Sequence, residues 1–226
     1  MPDDDTWVIV PVFNEAEVIS HVVADLQTAF SHVVCVDDGS ADSSAAEIAA
    51  TGAHLVSHPI NMGQGAALQT GLSYALAREG SRLFVTFDAD GQHQVSDAVQ
   101  MVEVARTEHA DVVLGSRFLG GCDQVPPLKR LVLRAIVALS PTVRRLRLTD
   151  AHNGLRVFNR PVAETLRISM NDMAHASEIV TILARSSWTV REAPVTIRYT
   201  EYSRSKGQSL VNGVNIVFDL SLGNRR

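Results

Sequence analysis

Residues 81–93 read SRLFVTFDADGQH, an apolar run that ends in two aspartates and a glycine. The same pattern occurs earlier in the chain, in TWVIVPVF at residues 6–13, which is followed by Asn14, and in HVVCVDDGS at residues 32–40. Short runs that are apolar throughout are typical of strands buried on both faces of a parallel sheet. The sequence therefore predicts a sheet whose strands end in polar residues.

Segments with helical periodicity separate these apolar runs. AEVISHVVADLQTAF at residues 16–30 places apolar side chains four residues apart, at Val18, Val22, Leu26 and Phe30, which predicts a helix with one apolar face. Alternation of strand and helix favours an α/β fold with a mostly parallel, Rossmann-like sheet flanked by helices. The further predicted elements are a helix ending near Ile48, a strand at 54–58, a helix at Gln64–Ala77, a helix at Asp97–Glu108 and a strand at 110–117.

The alternation changes after residue 120. We expect a single domain over residues 1–226, in which residues 1–120 form the α/β body and residues 121–226 form a basic C-terminal extension. The elements predicted in the extension are helices at Leu128–Leu139, Val162–Ile168 and Glu178–Arg185, strands at 155–159 and Val195–Tyr199, and a last apolar helix after Gly213.

The composition is that of an ordinary globular protein. The 226 residues are 46% hydrophobic and 20% charged, which is enough to bury one substantial core. Cys35 and Cys122 are far apart and form no CxxC pair, so we expect two buried thiols in a reducing cytoplasm and no structural zinc. The acidic amino-terminal start is unlike a secretory signal, and no apolar run approaches the ~20 residues of a membrane span.

Charge is distributed unevenly along the chain. Residues 1–125 hold four basic and eighteen acidic residues, net −14, whereas residues 126–226 hold sixteen and seven, net +9. An acidic half can hold a polyanion through a divalent cation, and a basic half suits anionic head groups or phosphates. Nucleic acid is not expected as a partner, because it would require a continuous basic stripe.

Polar residues collect where the predicted strands end, which is where open parallel sheets bind ligands. Asp88 and Asp90 alternate across one residue, so their carboxylates point the same way and can hold one hard cation, Mg²⁺ or Mn²⁺. Gln92 is a further oxygen ligand in this interpretation, and Arg117 is a second cation for a diphosphate. Two acids in a loop also describe a solvated turn, and His93 fits a turn histidine bonded to the backbone as well as a substrate contact. The chain lacks GxGxxG after its first strand, which disfavours hydride transfer.

Eight motifs over residues 6–210 resemble the family 2 glycosyltransferases of GT-A fold. They are PVFNEAE, VDDGS, NMGQGAAL, DADGQH, GSR, TDAHNGLRVFNR, EIV and SKGQS. Within that family they are most similar to the polyprenyl-phosphate (dolichyl-phosphate) sugar transferases. The resemblance implies inverting transfer of a hexosyl or N-acetylhexosaminyl group from a nucleotide sugar to polyprenyl phosphate, for cell-envelope glycan assembly. We favour a UDP-sugar over GDP-mannose as the donor.

The resemblance also implies roles for individual residues. The metal ligands are Asp88, Asp90 and Gln92, with Mg²⁺ or Mn²⁺ as the cofactor. The catalytic residues are Asp90, Arg117, Glu178 and Lys206. The nucleotide-sugar-binding residues are Pro11, Phe13, Asn14, Glu15, Asp38, Gly65, Asp88, Asp90, Arg117, Arg198, Arg204 and Lys206.

Several positions depart from the family pattern or allow a second interpretation. Gln64 stands where the family usually has a lysine, and Arg198 and Arg204 are both candidates for one expected arginine. Glu178 matches a family acid near the reaction centre but also fits a glutamate on a helix surface. The set Asp150, Gly154 and Arg156 matches a family pattern beside the acceptor site, whereas a turn glycine with a capping aspartate is the alternative for its first two members.

The basic extension supplies candidates for the acceptor side. Arg130 and Arg134 match the acceptor-phosphate position, although both also fit solvated helix charges. Arg144, Arg145 and Arg147 are interpreted as a contact with an anionic membrane or as a solvated loop, and the apolar segment after Gly213 as a core helix or an interfacial one. We expect a cytoplasmic protein, peripheral at the inner face of the cell membrane, with a small membrane protein as a possible partner.

Two other functions compete with this one. A transferase acting on a saccharide or protein hydroxyl would need a general base, whereas a phosphate acceptor is already a competent nucleophile. A non-catalytic nucleotide-sugar-binding module would not need Asp88, Asp90, Arg117 and Lys206 together.

Overall fold

In the computed structural model, residues 3–119, 145–150, 153–171 and 174–198 are described. They form a seven-stranded sheet with helices on both faces. The strands are β1 (Asp3–Val12), β2 (Phe30–Asp37), β3 (His54–Ser57), β4 (Leu83–Thr86), β5 (Val112–Ser116), β6 (Arg156–Asn159) and β7 (Val190–Pro194). The helices are α1 (Ile19–Gln27), α2 (Ser44–Ala50), α3 (Gln64–Leu76), α4 (Val95–Thr107), α5 (Arg160–Thr165) and α6 (Ala174–Arg185).

The sheet is mostly parallel, as predicted. Its strand order is β3-β2-β1-β4-β6-β5-β7, and β6 is antiparallel to both of its neighbours, β4 and β5. The remaining pairs are parallel. Since β6 and β7 come from residues after 150, the sheet extends past the boundary expected at residue 120.

Apolar side chains alternate between the two faces of the sheet. On β1, Val8 and Val10 pack into one core with α1 and α4, and Trp7 and Ile9 pack into a second core with α3 and α6. All four side chains are no more than 4% exposed. Burial on both faces explains why residues 7–12 of β1 are apolar without interruption and show no polar alternation.

Predicted and observed elements agree closely in the first half. The helix predicted at Gln64–Ala77 is α3, Gln64–Leu76. The predicted apolar stripe of α1 is wrong at Phe30, which begins β2. The reason is local, because the backbone N–H and hydroxyl of Thr28 both donate to the Asp25 carbonyl, at 3.1 and 2.6 Å, and close the last turn of α1.

The strand predicted at Val195–Tyr199 is wrong in position. The ladder observed is β7, Val190–Pro194, which pairs with β5. Because β5 ends at Ser116, the last bond of this pairing runs from the Val195 N–H to the Ser116 carbonyl, at 3.1 Å. The predicted helices at Leu128–Leu139 and after Gly213 lie outside the described residues. Within the described part of the chain, no helix has the length and apolar character needed to span a bilayer.

Candidate active site

The carboxyl ends of β1, β2, β4 and β5 lie along one edge of the sheet, because these four strands run in the same direction. The loops that follow them carry Glu15, Asp38, Asp88 and Arg117. Strand β6 runs the opposite way, so its first residue, Arg156, pairs with Thr86 at the end of β4. The antiparallel strand thus brings the residues that precede it to the same edge.

The carboxylate of Asp88 is held from three directions. Its Oδ1 accepts a hydrogen bond from Gln64 Nε2 and its Oδ2 from His93 Nε2, both at 3.0 Å. Gly154 packs against the same group, since a Cβ at this position would lie 2.6 Å from the Asp88 Cγ. The Thr86 hydroxyl donates to the Gly154 carbonyl at 2.6 Å and fixes that backbone. The Asp88 side chain still keeps 30% of its surface exposed, so it is fixed and accessible at once.

Asp88 and Asp90 differ in their electrostatics. Burial raises the pKa of Asp88, but the hydrogen bond and charge of His93, with the charges of Arg156 and His175, lower it by more, so its pKa lies below the ordinary value. For Asp90, burial and the nearby charge of Asp88 raise the pKa to about 6, with a smaller contribution from Glu15, against the hydrogen bond from the Gln92 N–H. A second negative charge beside Asp88 is therefore costly in the absence of a cation.

This donor set fits Mg²⁺ or Mn²⁺ that is completed by a substrate. Among the described residues, no three His, Cys, Asp or Glu side chains converge into a group that could hold a metal by themselves. Magnesium is usually bound by one or two carboxylates together with substrate phosphates and water, so a full protein cage is not required. Two adjacent carboxylates, one with a raised pKa, supply the charge that such a cation neutralises.

His93 has a role that neither sequence interpretation included. Its Nε2 donates to Asp88, and the ring contacts Phe87 edge-on with centroids 5.4 Å apart. The Nδ1 atom is buried and has no hydrogen-bond partner among the described residues. Within the described residues, the His93 imidazole therefore forms its hydrogen bond to the Asp88 carboxylate through Nε2 alone.

Arg117 is paired with a buried acid. Its Nε donates to Asp150 Oδ2 at 2.6 Å and a terminal nitrogen to Oδ1 at 3.4 Å, with the two side chains 13% and 2% exposed. Arg156 is also buried, and burial lowers the pKa of its guanidinium against the charges of Asp88 and Asp150, which raise it. Arg156 therefore lies within electrostatic reach of both carboxylates and links the Asp88 region to the Arg117 pair.

The Asp38 carboxylate accepts hydrogen bonds from groups of its own chain. Its Oδ1 accepts from the Met62 N–H at 2.9 Å and from His58 Nδ1 at 2.7 Å, and its Oδ2 accepts from the Gly63 N–H at 2.8 Å. Three of the four acceptor positions of this carboxylate are used by these bonds, and the predicted contact with a nucleotide stays a prediction. In the structure, Asp38 anchors the loop that precedes α3.

The residues after β1 are anchored to the loop after β2. Asn14 has a φ of 55°, its N–H donates to Ser40 Oγ at 2.9 Å, and its Oδ1 accepts from the Ala41 N–H at 2.8 Å. The Glu15 N–H donates to Ser44 Oγ at 2.8 Å. These bonds hold the loop in place with the Glu15 charge near Asp90, while Pro11 is buried in β1 and Phe13 is 44% exposed at the sheet edge.

Gly65 and Glu178 both contact the segment before α6. A Cβ at Gly65 would come within 3.2 Å of the Met170 carbonyl carbon and closer still to its oxygen, so the close approach observed is to this chain. The Glu178 carboxylate accepts from the Met170 N–H at 2.9 Å and from the N–H and hydroxyl of Ser169. The family roles of both residues remain predictions.

Arg198 lies beside the loop that follows Asp90. Its N–H donates to the Gln92 carbonyl at 2.9 Å and its guanidinium to Gln94 Oε1 at 2.8 Å. It also lines a cavity of about 260 Å³ between α1 and the start of α4, which does not include Asp88, Asp90 or Arg117.

Several predicted residues lie outside the described part of the chain. They are Arg130, Arg134, Arg144, Arg204 and Lys206. Arg145 and Arg147, from the predicted membrane contact, are described and exposed.

The sequence predicted no interaction with Asp88 for three residues that interact with it in the structure, Arg156, His93 and Gln64. The signal for Arg156 was its place in the Asp150–Arg156 pattern, and the signal for Gln64 was its departure from the usual lysine. Nothing in the sequence alone pairs His93 with Asp88, since a carboxylate and a histidine five residues apart in a loop have no fixed geometry.

This chain is similar to a known protein family over most of its length. Residues 7–167 match the family described as Glycosyl transferase family 2. The UDP-N-acetylglucosamine--dolichyl-phosphate N-acetylglucosaminyltransferase of Methanococcus voltae is 27% identical, over 97% of this chain and 96% of that protein. The polyprenol monophosphomannose synthase of Mycolicibacterium smegmatis is 31% identical, over 95% of this chain and 84% of that protein.

A similar solved structure is glucosyl-3-phosphoglycerate synthase from Mycobacterium tuberculosis in complex with UDP. It has a TM-score of 0.69 and 17% identity, over 94% of this chain and 77% of that one. This likeness confirms the expected GT-A fold. The family match covers well over half of the sequence, and the chain belongs to glycosyltransferase family 2.

Proposed function

We propose that this chain transfers a hexosyl or N-acetylhexosaminyl group from a nucleotide sugar to polyprenyl phosphate, with inversion at the anomeric carbon. Relatives similar over nearly the whole chain are named for transfer to dolichyl phosphate, to polyprenol phosphate and to undecaprenyl phosphate. The observation that carries the proposal is the paired Asp88 and Asp90 at the carboxyl edge of the sheet, with the pKa of Asp90 raised to about 6.

Asp88 and Asp90, with Gln92, would hold Mg²⁺ or Mn²⁺ against the donor diphosphate. When bound, such a cation supplies positive charge to the leaving nucleoside diphosphate. Solved structures of glucosyl-3-phosphoglycerate synthase are described as complexes of UDP with Mn²⁺ and with Mg²⁺, which supports this donor chemistry here.

The chemistry is a single displacement. An oxygen of the acceptor phosphate forms a bond to the anomeric carbon while the bond from that carbon to the donor diphosphate breaks, and the nucleoside diphosphate leaves. Arg117 lies along the same edge and would stabilise the charge that develops on the leaving group. No general base is required, because a phosphate monoester attacks without losing a proton. Lys206, Arg130 and Arg134 are proposed as further cations for the two phosphates.

The donor preference is proposed as a UDP-sugar, on the motif resemblance. Radiolabelled UDP-glucose, UDP-N-acetylglucosamine and GDP-mannose are incubated with the protein, Mn²⁺ and undecaprenyl phosphate, and the label is then partitioned into organic solvent. We expect transfer from one of the UDP-sugars, with loss of transfer in excess chelator and in Asp90→Asn. If all of the label stays in the aqueous phase, the lipid acceptor is contradicted, and full turnover of Asp90→Asn would contradict the metal role.

Peripheral binding to the inner face of the cell membrane is part of the proposal. Arg145 and Arg147 are exposed, and each basic side chain near an anionic surface contributes about 1 kcal/mol of attraction. Replacing Arg144, Arg145 and Arg147 together by serine should weaken binding to anionic vesicles at low salt and spare transfer to a detergent-solubilised acceptor. Unchanged vesicle binding would identify this segment as a solvated loop.

A further inference from the structure

Gln64 occupies an unusual place at the start of α3. The helix begins directly after Gly63, whose φ of 92° is in the left-handed region, and no side chain caps it. The Asp38 carboxylate fixes this turn by accepting from the Met62 and Gly63 N–H groups, at 2.9 and 2.8 Å. The backbone of Gln64 is therefore anchored on one side, while its side chain reaches Asp88 on the other.

The contact with Asp88 is one of a pair. Gln64 Nε2 donates to Oδ1 and His93 Nε2 to Oδ2, both at 3.0 Å. A carboxylate oxygen has two acceptor positions, so one donor on each oxygen fixes the plane of the group and leaves an acceptor position on each oxygen for another ligand. The direct partner on Oδ1 is an uncharged amide, which orients Asp88 without cancelling its charge.

We infer that Gln64 is a positioning residue that, together with His93, orients the Asp88 carboxylate for a divalent cation and sets the affinity of the site for that cation. The inference rests on the proposed metal role of Asp88. A lysine at position 64 would reach the same oxygen but would form an ion pair with it, and its charge would repel the cation. An apolar side chain of equal length would remove one of the two hydrogen bonds that orient the carboxylate.

The inference is tested by titrating the full chain with Mn²⁺, alone and with UDP, and following free Mn²⁺ by electron paramagnetic resonance. Residues that orient metal ligands typically change affinity by 10–100-fold, so Gln64→Met should raise the Kd for Mn²⁺ about 10-fold. Gln64→Lys should raise it further. Gln27→Met is the matched control, since Gln27 also donates one hydrogen bond, at 3.2 Å to the Thr51 carbonyl, but lies on α1 away from Asp88.

Variants of His93 test the same inference independently. His93→Gln keeps an N–H donor and should retain most of the affinity for Mn²⁺, whereas His93→Leu should lose about as much as Gln64→Met. Thermal unfolding of each variant separates a loss of orientation from a loss of fold. We expect Gln64→Met and Gln27→Met to unfold near the parent temperature, with only Gln64→Met binding Mn²⁺ more weakly.

Failure of the positioning role and failure of the proposed function would give different results. If the parent binds Mn²⁺ and Asp88→Asn does not, but Gln64→Met and Gln64→Lys both bind as the parent does, the positioning role is overturned and the proposed function stands. If the parent binds no Mn²⁺ with or without UDP, the proposed metal-dependent function is overturned, and the inference with it.

Discussion

Replacing Gly154 by alanine should disable the proposed cation site while leaving most of the fold intact. The added Cβ would lie 2.6 Å from Cγ and 2.7 Å from Oδ1 of Asp88, and closer still to Oδ2. The Gly154 backbone cannot retreat easily, because its carbonyl accepts a 2.6 Å hydrogen bond from the Thr86 hydroxyl. The Asp88 carboxylate is the end of a side chain and will move first.

The size of that movement follows from the contact distances. Ordinary contacts of a Cβ begin at 3.4 Å, so a carbon at 2.6 Å must move away by about 0.8 Å. Metal sites tolerate ligand errors of about 0.2 Å, so we expect the affinity for Mn²⁺ to fall by about 100-fold. Overpacking usually costs about 1–3 kcal/mol, and the lower end applies because a side chain yields rather than the backbone.

Mn²⁺ binding followed by electron paramagnetic resonance, sugar transfer and urea denaturation are measured on the same preparation. Gly80→Ala is the control, because Gly80 has a φ of 81° and a Cβ added there would have no atom within 4 Å. The control should lose stability through backbone strain and bind Mn²⁺ normally. A Gly154→Ala protein that binds Mn²⁺ as tightly as the parent would refute the placement of Asp88 as a cation ligand.

Three further outcomes follow from the described contacts. Arg117→Met should lower the free energy of unfolding in urea by about 3 kcal/mol, because it leaves the buried Asp150 without its bidentate partner; a loss no larger than that of an exposed arginine would contradict this. Asp38→Ala should lower the thermal midpoint and weaken UDP binding, since it removes the acceptor for two backbone N–H groups at about 1–3 kcal/mol each, and an unchanged midpoint would show that the loop is held by other contacts. Burial raises the pKa of the Cys35 thiol to about 12, so peptide mapping after iodoacetamide treatment at pH 8 should find Cys35 unmodified in the native protein and modified after denaturation; modification of the native protein would place the thiol at the surface.

The sequence correctly predicted that Asp88 and Asp90 follow a buried strand, because the end of a strand can be recognised from neighbouring residues in the sequence. Asp88 and Asp90 follow an apolar run directly, so their place at the end of β4 required only the recognition of a buried strand. The partners of Asp88 could not be predicted in this way. Gln64 reaches it across 24 positions, and that contact depends on how α3 packs over the sheet.

Asp38 shows a second limit. The sequence predicted a nucleotide contact for this acid, which stays a prediction, and could not predict its bonds to the backbone of its own chain. Those bonds depend on the loop before α3, which brings the Met62 and Gly63 N–H groups to the carboxylate. Arg156 shows a third limit, since the predicted short strand LRVFN gives no sign that it is antiparallel and lies between β4 and β5.

The position of β6 between β4 and β5 affects the order in which the strands of the sheet can pair. Thr86 pairs with Arg156, seventy positions later in the chain, so β4 acquires its second neighbour only after the chain has been made well past β5. Pairings of such long sequence separation close slowly during folding. A nascent chain that ends near residue 120 would have β1, β2 and β4 but neither Gly154 nor Arg156 beside Asp88. We therefore expect the wall of the proposed cation site to form late in folding, and destabilising changes in β6 should slow the appearance of activity more than that of secondary structure.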